Sequence, residues 1–471
     1  MHVHQNLQAL AEAPLGRLIA KYSWPALVSM TLNALYAVVD RFYIGNGCGV
    51  AAMAGLSFAV PVMMAYGAFG VWIGAGHSAV LSIKLGAGDR DTAEKTLGQL
   101  VAFKLLFFLT LPFLLLPFLE PVLTAIGGGG VSPEALRQAK LYLTIVLPPQ
   151  ICSHLAFGLS SMMRAEGAVL SSMMCMVVGF GANLVLDPLF IFVFDMGVAG
   201  AAWATNIAMF LSCVWAFVHY GRGRSVVPLR IRRIRFYRGL ATRAMGIGLG
   251  PFLQQVLGAL IGLSLAKVLT RWSSTPEEGT IQIAALGIYQ AVMILFLMPV
   301  MGLQQGIGPI IGFNWGARNY ARVRGCLLLG FWITTAFVTC ATLAQVCFPE
   351  AIARCFGAAD AYLAAAARVL RIANCMLWCI GINVMATTYF QSIGKPATAI
   401  LLSALRQGVC LLPCLWLLPY LMSDHVLAIW LAMPISDVLC QLATLPPLLL
   451  HLRFLRRAGI RVSRRSPQFV K

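Results

Sequence analysis

The sequence predicts an all-α polytopic membrane protein, with twelve transmembrane helices in two six-helix bundles around a central cavity. Apolar residues make up 59% of the chain and charged residues only 11%, whereas soluble domains carry roughly 25% charged residues. About twelve apolar stretches are long enough to cross a hydrocarbon core of ~30 Å. These predicted spans 1 to 12 lie near 16–43, 52–83, 95–118, 138–160, 168–194, 198–220, 244–271, 281–311, 324–348, 361–391, 397–421 and 427–452.

The basic residues are confined to alternate loops, although the formal net charge is +19. Arg90, Arg164 and Lys395 stand in loops on one side, whereas opposite loops such as 119–136 and 422–426 contain no Lys or Arg. This positive-inside pattern predicts that both termini are cytoplasmic. It favours an integral plasma-membrane location, such as a bacterial inner membrane. It also accounts for the positive charge, so no nucleic-acid partner is expected.

The densest basic run, Tyr220–Arg243, lies near the middle of the chain and separates six spans from six. We interpret it as a linker whose arginines set topology and meet anionic lipid headgroups. The predicted organisation is an N-lobe at 1–221, a cytoplasmic basic linker at 222–243, a C-lobe at 244–452 and a basic cytoplasmic tail at 453–471.

Two segments of the first half match segments of the second half. Gly76–Lys95 aligns with Gly306–Arg324, and Ser160–Ala168 aligns with Thr387–Lys395 at nearly the same offset. Because six helices return the chain to its starting side, the halves are predicted to be parallel repeats about an axis along the membrane normal. Two packed bundles with a cavity between them are the architecture expected of alternating access.

Few charged side chains stand inside the predicted spans, where each costs about 2.5–3.5 kcal/mol even by the lower estimates. Tyr36 and Asp40 are four residues apart in span 1, and Asn183 and Asp187 repeat this spacing in span 5. Such spacing puts each pair on one helix face. Two carboxylates in one pocket cannot both be ionised cheaply, which predicts a proton site or a possible Na⁺ site at Asp40 and Asp187. A structural polar cluster joining spans 1 and 5 is the alternative.

Prolines interrupt the same two spans. Pro25 lies within span 1 and Pro188 directly follows the carboxylate of span 5. Proline removes an amide donor and strains the preceding turn, and such breaks are tolerated where the freed carbonyls face protein or a wet cavity. We therefore expect Pro25 and Pro188 to act as hinges.

The second half has a different polar set. Gln254 and Gln290 are candidate polar groups of a substrate cavity, as are Arg406 and Asp437. Asp437 is expected either to pair with Arg406 or to take part in conformational switching. Both interpretations stay open on the sequence alone.

The chain resembles the multidrug and toxic compound extrusion (MATE) family, in the branch of DNA-damage-inducible and multidrug exporters. The resemblance covers nearly the whole length. It rests on Pro25, the Tyr36-x3-Asp40 motif, the "NLVLDPLFIF" motif of span 5, the two repeat segments and Ser403–Pro419 in span 11. It implies a two-lobe antiporter that exports cationic amphipathic compounds in exchange for H⁺ or Na⁺, with no organic cofactor.

The resemblance also implies which residues form a cation-coupling pocket in the N-lobe. The positions that match are Tyr36, Asp40, Tyr142, Asn183, Asp187 and Thr205. Other branches carry acidic residues in helices 7 and 10, where this chain has Gln254, Gln255, Asn374 and Asn383. A C-lobe cation site like theirs is therefore not expected. The expected partners are organic cations and membrane lipid, and the protein is expected to be a monomer.

Other functions have less support in the sequence. A lipid-linked precursor flippase of the same superfamily would need a strongly cationic cavity. The only support for such a cavity is three arginines expected deep in predicted spans, Arg368, Arg371 and Arg406. A scaffold or receptor would need larger loops. An enzyme is not expected, because no HExxH motif, nucleophile elbow or paired His/Cys ligand set occurs.

Overall fold

The computed structural model describes residues 2–127, 132–223, 225–357 and 359–463, so the end of the predicted tail at 464–471 lies outside these ranges. The described chain is almost entirely helical. Helices α1 to α17 are, in order, His2–Glu12, Leu15–Gly86, Arg90–Leu115, Leu119–Gly127, Pro133–Val146, Gln150–Ala165, Val169–Pro188, Gly197–Gly221, Arg238–Trp272, Pro276–Gly316, Tyr320–Cys347, Pro349–Cys355, Asp360–Ala373, Ile380–Ser392, Pro396–Ala404, Leu412–Leu421 and His425–Ser463.

Most of these helices are long and apolar enough to cross a membrane. Nine helical segments of the described chain meet that test, and eleven do so when α5 with α6 and α13 with α14 are each counted as one bent span. The two pairs bend by 58° and 41° respectively. The protein is therefore an all-α polytopic membrane protein, as the sequence predicts.

Predicted spans 1 and 2 form one long helix, α2, which is interrupted at Gly49. This residue has a φ of 82° and a ψ of −177°, a backbone conformation that glycine adopts without the steric cost of a Cβ. The segment before Gly49 is absent from the spans found by length and hydropathy among the described residues. Ser, Thr, Asn and Tyr residues are interspersed with its apolar residues, which lowers its mean hydropathy.

The turns after α2 and α10 have the same design, as expected of equivalent repeat positions. Gly88 and Arg318 both have positive φ, 76° and 57°. The residue that follows each one, Asp89 or Asn319, caps the next helix by accepting a hydrogen bond from the amide three residues on. Such caps satisfy amide donors that have no partner within the helix. The turns confirm the alignment of the first pair of matched segments.

The second pair of matched segments also has matching backbones. Gly167 follows α6 with a φ of 94°, and Gly394 follows α14 with a φ of 75°. Each of these helices is the second member of a bent pair. Further along, a π-helix follows α7 at Leu189–Val193, and another joins α15 to α16 at Leu405–Leu411. The bent pairs and the positive-φ glycines thus follow the repeat, whereas the two π-helices lie at different positions of it.

The halves meet closely at the end of the bundle that carries the turns at Gly88 and Arg318, here called the linker end. A Cβ on Gly86 would overlap the carbonyl oxygen of Phe313, and a Cβ on Gly316 would overlap the carbonyl oxygen of Ile83. These two contacts are related by the repeat. Small residues permit such close approach of membrane helices, so α2 and α10 form a tight seam between the halves.

The linker packs against the first half at the same end. The guanidinium of Arg233 lies 2.6 Å from a carboxylate oxygen of Asp91, and the side-chain amide of Gln99 donates to the carbonyl of Tyr237 at 3.2 Å. One continuous apolar core joins residues of both halves here, including Leu97 and Ile307. The linker end is therefore closed by packing.

Candidate functional site

The residues of the predicted cation pocket come together inside the first half of the chain. Asp187 is fully buried and Asp40 is 6% exposed. The carboxyl of Asp40 lies within electrostatic range of Asp187, and Tyr142 lies near both of them. Helices α2, α5, α7 and α8 contribute the set, which is Tyr36, Asp40, Tyr142, Asn183, Asp187 and Thr205.

Two hydrogen bonds organise this pocket. The Tyr36 hydroxyl donates to Thr205 Oγ1 at 2.8 Å, which ties α2 to α8. The Asn183 amide donates to Asp187 Oδ1 at 2.8 Å within α7. The second bond is the i,i+4 contact expected from the spacing. It leaves the remaining oxygens of both side chains available to another ligand.

Three buried oxygens of the pocket have no hydrogen-bond partner in the part of the chain that the structure describes. They are Oδ1 of Asp40, Oδ1 of Asn183 and Oδ2 of Asp187. Neither carboxylate forms an ion pair with a described Lys, Arg or His. Burying an unpaired carboxylate is costly, so the arrangement favours binding of a proton or a cation.

The donor set of the pocket suits a hard cation. Two carboxylates, an amide oxygen and hydroxyl groups are oxygen ligands, which Na⁺-like and other hard ions prefer over the nitrogen and sulfur ligands of transition metals. Among the described residues, no group of three or more His, Cys, Asp or Glu is placed to hold a metal ion.

The predicted hinges have different surroundings. Helix α2 continues through Pro25, whose carbonyl accepts a hydrogen bond from the Ser29 hydroxyl at 2.8 Å. Pro188 ends α7, and the π-helix Leu189–Val193 follows it. Single π-turns are frequent at functional sites. Pro188 thus adjoins an irregular segment directly beside Asp187, whereas the marked break of α2 is at Gly49.

The buried carboxylate of the second half already has a cationic partner. Arg406 Nε donates to Asp437 Oδ1 at 2.7 Å, and Asp437 is only 1% exposed. Arg406 belongs to the π-helix that joins α15 to α16. Of the two roles expected for Asp437, pairing with Arg406 is the contact that the structure contains.

A cavity of about 180 Å³ lies between the halves near the linker end. Helices α2, α6, α9, α10 and α14 surround this central cavity. Its lining residues are Val71, Ala75, Ser78, Ala79, Ser82, Phe157, Ser161, Arg164, Pro251, Gln254, Met301, Gln304, Gln305, Gly308, Pro309, Thr387, Thr388, Gln391 and Ser392.

The predicted substrate-cavity residues divide into two groups. Gln254 lines the central cavity, whereas Gln290, Arg406 and Asp437 lie outside its described lining. Arg406 and Asp437 lie outside the cavity because they contact each other on helices of the second half. Gln290 has an exposed side chain on α10.

Arg368 and Arg371, which are expected deep in predicted spans, do not lie in the interior of the helix bundle. Both side chains are exposed, and the guanidinium of Arg368 lies 3.5 Å from a carboxylate oxygen of Asp424. Helix α13 is amphipathic, so its charged residues face outward while Ala366 and Leu370 are buried. The cationic cavity that a flippase would require is thus not formed by these arginines.

Lys104, a fully buried cation in α3, was not among the residues expected from the sequence. Its Nζ donates to the carbonyl of Gly70 at 2.7 Å and lies 5.3 Å from the ring centre of Phe108. It has no ion pair among the residues that the structure describes. The sequence feature that indicates a buried lysine is the single Lys within the apolar run "VAFKLLFFLT".

The sequence profile of the MatE family matches residues 25–189 and 255–417, one match in each half. The "Multidrug export protein MepA" of Staphylococcus aureus (strain MRSA252) is 24% identical over 442 residues, covering 94% of this chain and 95% of MepA. MepA of Staphylococcus haemolyticus (strain JCSC1435) is 24% identical over 415 residues, covering 88% and 89% of the two chains.

Solved structures agree with this assignment. A ligand complex of the "MATE multidrug transporter DinF-BH" matches with a TM-score of 0.83 and 30% identity, covering 94% of this chain and 96% of that one. An "Outward-facing conformation of a multidrug resistance MATE family transporter of the MOP superfamily" matches with a TM-score of 0.87 and 21% identity, covering 96% and 99%. The chain therefore belongs to the MATE family, whose members are membrane transporters and not enzymes.

Proposed function

We propose that this protein is a secondary active antiporter that exports cationic amphipathic drugs or toxins in exchange for H⁺ or Na⁺. The observation that carries the proposal is the pair of buried carboxylates, Asp40 and Asp187, without an ion-pair partner among the described residues. The relatives named as multidrug export proteins support the export of drugs. No organic cofactor is required for such exchange.

The coupling ion binds at Asp40 and Asp187 in this proposal. Asn183 donates a hydrogen bond to the carboxylate of Asp187, and Tyr36 donates one to Thr205. Tyr142 adds a further oxygen to this pocket. Binding of H⁺ or Na⁺ neutralises the pocket. A ligand can shift a conformational equilibrium only by its difference in affinity for the two states. The cation must therefore bind more tightly in the state that has released the organic substrate.

Alternating access supplies the link between the ion site and the substrate path. The tight seam at Gly86 and Gly316 closes the linker end, which supports assigning this form to an outward-facing state, like one of the solved neighbours. Bending of α2 near Pro25, together with the irregular segment after Pro188, would change the pocket when the cation binds. Reopening of the seam would then expose the central cavity to the opposite side.

The orientation and the lobes are part of the same proposal. The linker arginines favour a cytoplasmic linker end, with both termini cytoplasmic and the protein in a bacterial inner membrane. The lobes are residues 1–221 and 244–452, joined by the linker at 222–243 and followed by the tail from 453. We expect one chain to complete the transport path, so that a monomer is active.

The test is export of a fluorescent organic cation from proteoliposomes under separately imposed pH and Na⁺ gradients. Wild type is compared with Asp40→Asn and Asp187→Asn at matched insertion. The control is Asp424→Asn, which removes an exposed carboxylate at the other end of the chain. Loss of gradient-driven export in both pocket variants supports the proposal and identifies the ion. Undiminished export in both would contradict it and make the pair structural.

A further inference from the structure

The central cavity is built from equivalent positions of the two repeats, but its charge is not symmetric. Ser161 corresponds to Thr388 in the alignment of the matched segments, and Arg164 corresponds to Gln391. All four line the cavity. One repeat therefore contributes a permanent cation where the other contributes a neutral amide.

Arg164 is held in place without a carboxylate partner. Its Nη1 donates to Ser160 Oγ at 3.1 Å and to Ser172 Oγ at 2.6 Å, and the residue is only 5% exposed. The hydroxyl groups fix the guanidinium but do not neutralise it. No Asp or Glu is present in the described cavity lining. The cavity thus carries a fixed, uncompensated positive charge.

Two further lining groups lack partners. Thr387 Oγ1 and Gln305 Oε1 are buried and have no hydrogen-bond partner among the described residues. Thr387 is 8% exposed and lies on the cavity wall. A buried polar atom without a hydrogen-bond partner is unfavourable, because it has lost its contact with water and gained none with protein. These atoms therefore indicate a ligand that makes hydrogen bonds inside the cavity.

We propose that the central cavity binds the carboxylate group of an amphipathic substrate, with Arg164 as its cationic anchor. Guanidinium groups bind carboxylates through charge-assisted hydrogen bonds that are often bidentate. The Thr387 hydroxyl adds a donor on the facing repeat. This inference rests on the proposed export function and deepens it. It extends the expected substrates from purely cationic compounds to compounds that also carry an acid.

The size and the place of the cavity agree with this assignment. A volume of about 180 Å³ corresponds to roughly six waters at ~30 Å³ each, which accommodates a carboxylate and the atoms next to it. Ser78 and Ser82 lie on α2 before the seam residue Gly86, while Gly308 lies on α10 before Gly316. The cavity that contains Arg164 therefore lies next to the seam between the halves.

The test measures equilibrium binding of two matched probes to the purified full-length protein by fluorescence anisotropy. One probe is a rhodamine dye with a free carboxylate, and the other is the ethyl ester of the same dye. Arg164→Gln gives the cavity the amide of the other repeat. We expect it to weaken binding of the acid about 10-fold or more and to leave binding of the ester unchanged within about 2-fold.

Two more variants separate a binding role from a structural one. Arg164→Lys keeps the charge, so it should retain part of the preference for the acid, whereas Thr387→Val should weaken the acid alone. Arg137→Gln, at an exposed arginine, should change neither. Equal weakening of both probes in Arg164→Gln, or no change in either, would overturn the inference. Selective loss of acid binding would support the cavity site even if proteoliposome export of the ester failed, and that failure would count against the antiporter proposal alone.

Discussion

Both halves of this transporter bury carboxylates, but among the described residues the pair Asp40 and Asp187 of the first half has no ion-pair partner, whereas Asp437 of the second half has one. Asp187 accepts a hydrogen bond from the neutral Asn183, whereas Asp437 accepts one from the cationic Arg406. A buried carboxylate that is paired with a cationic side chain is already compensated, whereas an unpaired buried carboxylate favours binding of a cation. The comparison teaches that the repeat preserves the scaffold while the charge pairing of the buried carboxylates differs between the halves.

The difference extends to equivalent positions of the repeat. At the offset of the second matched segments, Cys410 and Cys414 occupy the places of Asn183 and Asp187. Cys410 is buried and neither forms a disulfide. Buried thiols pack as small apolar groups, so these two positions supply no oxygen ligand for an ion. Arg406 lies one turn earlier, in the π-helix of span 11.

The largest effect is expected when both carboxylates of the cation pocket in the first half are neutralised, because this removes the difference between the halves. In the double variant Asp40→Asn/Asp187→Asn, we expect gradient-driven export to fall to the level of protein-free liposomes, because no carboxylate remains to exchange a cation. The measurement is the initial rate of export under imposed pH or Na⁺ gradients. Folding is checked by the monodispersity of the purified variant. A double variant that exports at the wild-type rate would refute a coupling role for the pocket.

The ion pair of the second half should behave in the opposite way, affecting stability more than coupling. Asp437→Asn leaves the half-buried Arg406 without its partner, which costs at most about 3–5 kcal/mol, the range for fully buried pairs. The double variant Arg406→Met/Asp437→Leu should regain most of this loss, because it removes both charges. Denaturation in detergent measures the effect, and a double-mutant cycle isolates the pair.

The comparison fails if Asp437→Asn abolishes the response to the ion gradient while leaving stability unchanged. In that case the second half would also contain a coupling carboxylate. A retained gradient response in the Arg406→Met/Asp437→Leu variant would instead place ion coupling in the first half alone.

The local part of the cation pocket could be predicted from the sequence. The i,i+4 spacings of Tyr36 with Asp40 and of Asn183 with Asp187 depend only on helix geometry. Placement of Tyr142 and Thr205 near them required the family resemblance, because a single sequence does not state which helices are neighbours. The contact between Tyr36 and Thr205 joins helices that are far apart in the chain.

Other features depended on tertiary environment and were not predictable in this way. The sequence places Arg164 in a loop, as a cation that sets topology, whereas in the structure it is a buried residue at the end of α6 that lines the cavity. Lys104 was missed within an apolar run. Arg368 was expected inside and is exposed. Hydropathy gives the average environment of a span. The burial of one side chain depends instead on which face of its helix packs against the rest of the protein.

The two glycine contacts of the seam are related by the repeat, unlike the carboxylates, so substitutions there test whether the two halves contribute equally to closure. Gly86→Ala and Gly316→Ala each place a methyl group against the carbonyl of the facing helix, and overpacking typically costs about 1–3 kcal/mol. We therefore expect both to shift the population toward an opened linker end, by about 5-fold to 150-fold. The labelling rate of Ser78→Cys, in a background without other accessible thiols, measures the opening.

Gly67→Ala is the matched control, because a Cβ at this position of α2 meets no atom within 4 Å. It should leave the labelling rate unchanged. Different effects of Gly86→Ala and Gly316→Ala would show that the seam is not energetically symmetric. An unchanged rate in both variants would contradict the closing role of these contacts.

The smallest expected difference between the halves lies in their matching turns. The hydrogen bond from Lys84 Nζ at 2.8 Å lowers the pKa of Asp89 from its ordinary value near 3.8 to about 2, whereas its equivalent Asn319 does not titrate. A carboxylate with a lowered pKa stabilises the fold above its ordinary pKa, and this contribution is lost as the pH falls from about 4 to about 2. Acid should therefore weaken the first turn alone.

Asp89→Asn makes the first turn chemically like the second. Because Asn caps a helix about as well as Asp and a solvent-exposed ion pair contributes little, we expect it to lower stability by less than about 1 kcal/mol at neutral pH. Asp89→Ala should cost more, since it removes the cap as well. Thermal unfolding at pH 7 and pH 3 measures both effects. Equal acid sensitivity in wild type and Asp89→Asn would exclude this carboxylate as its source and place the acid response among other groups of the protein.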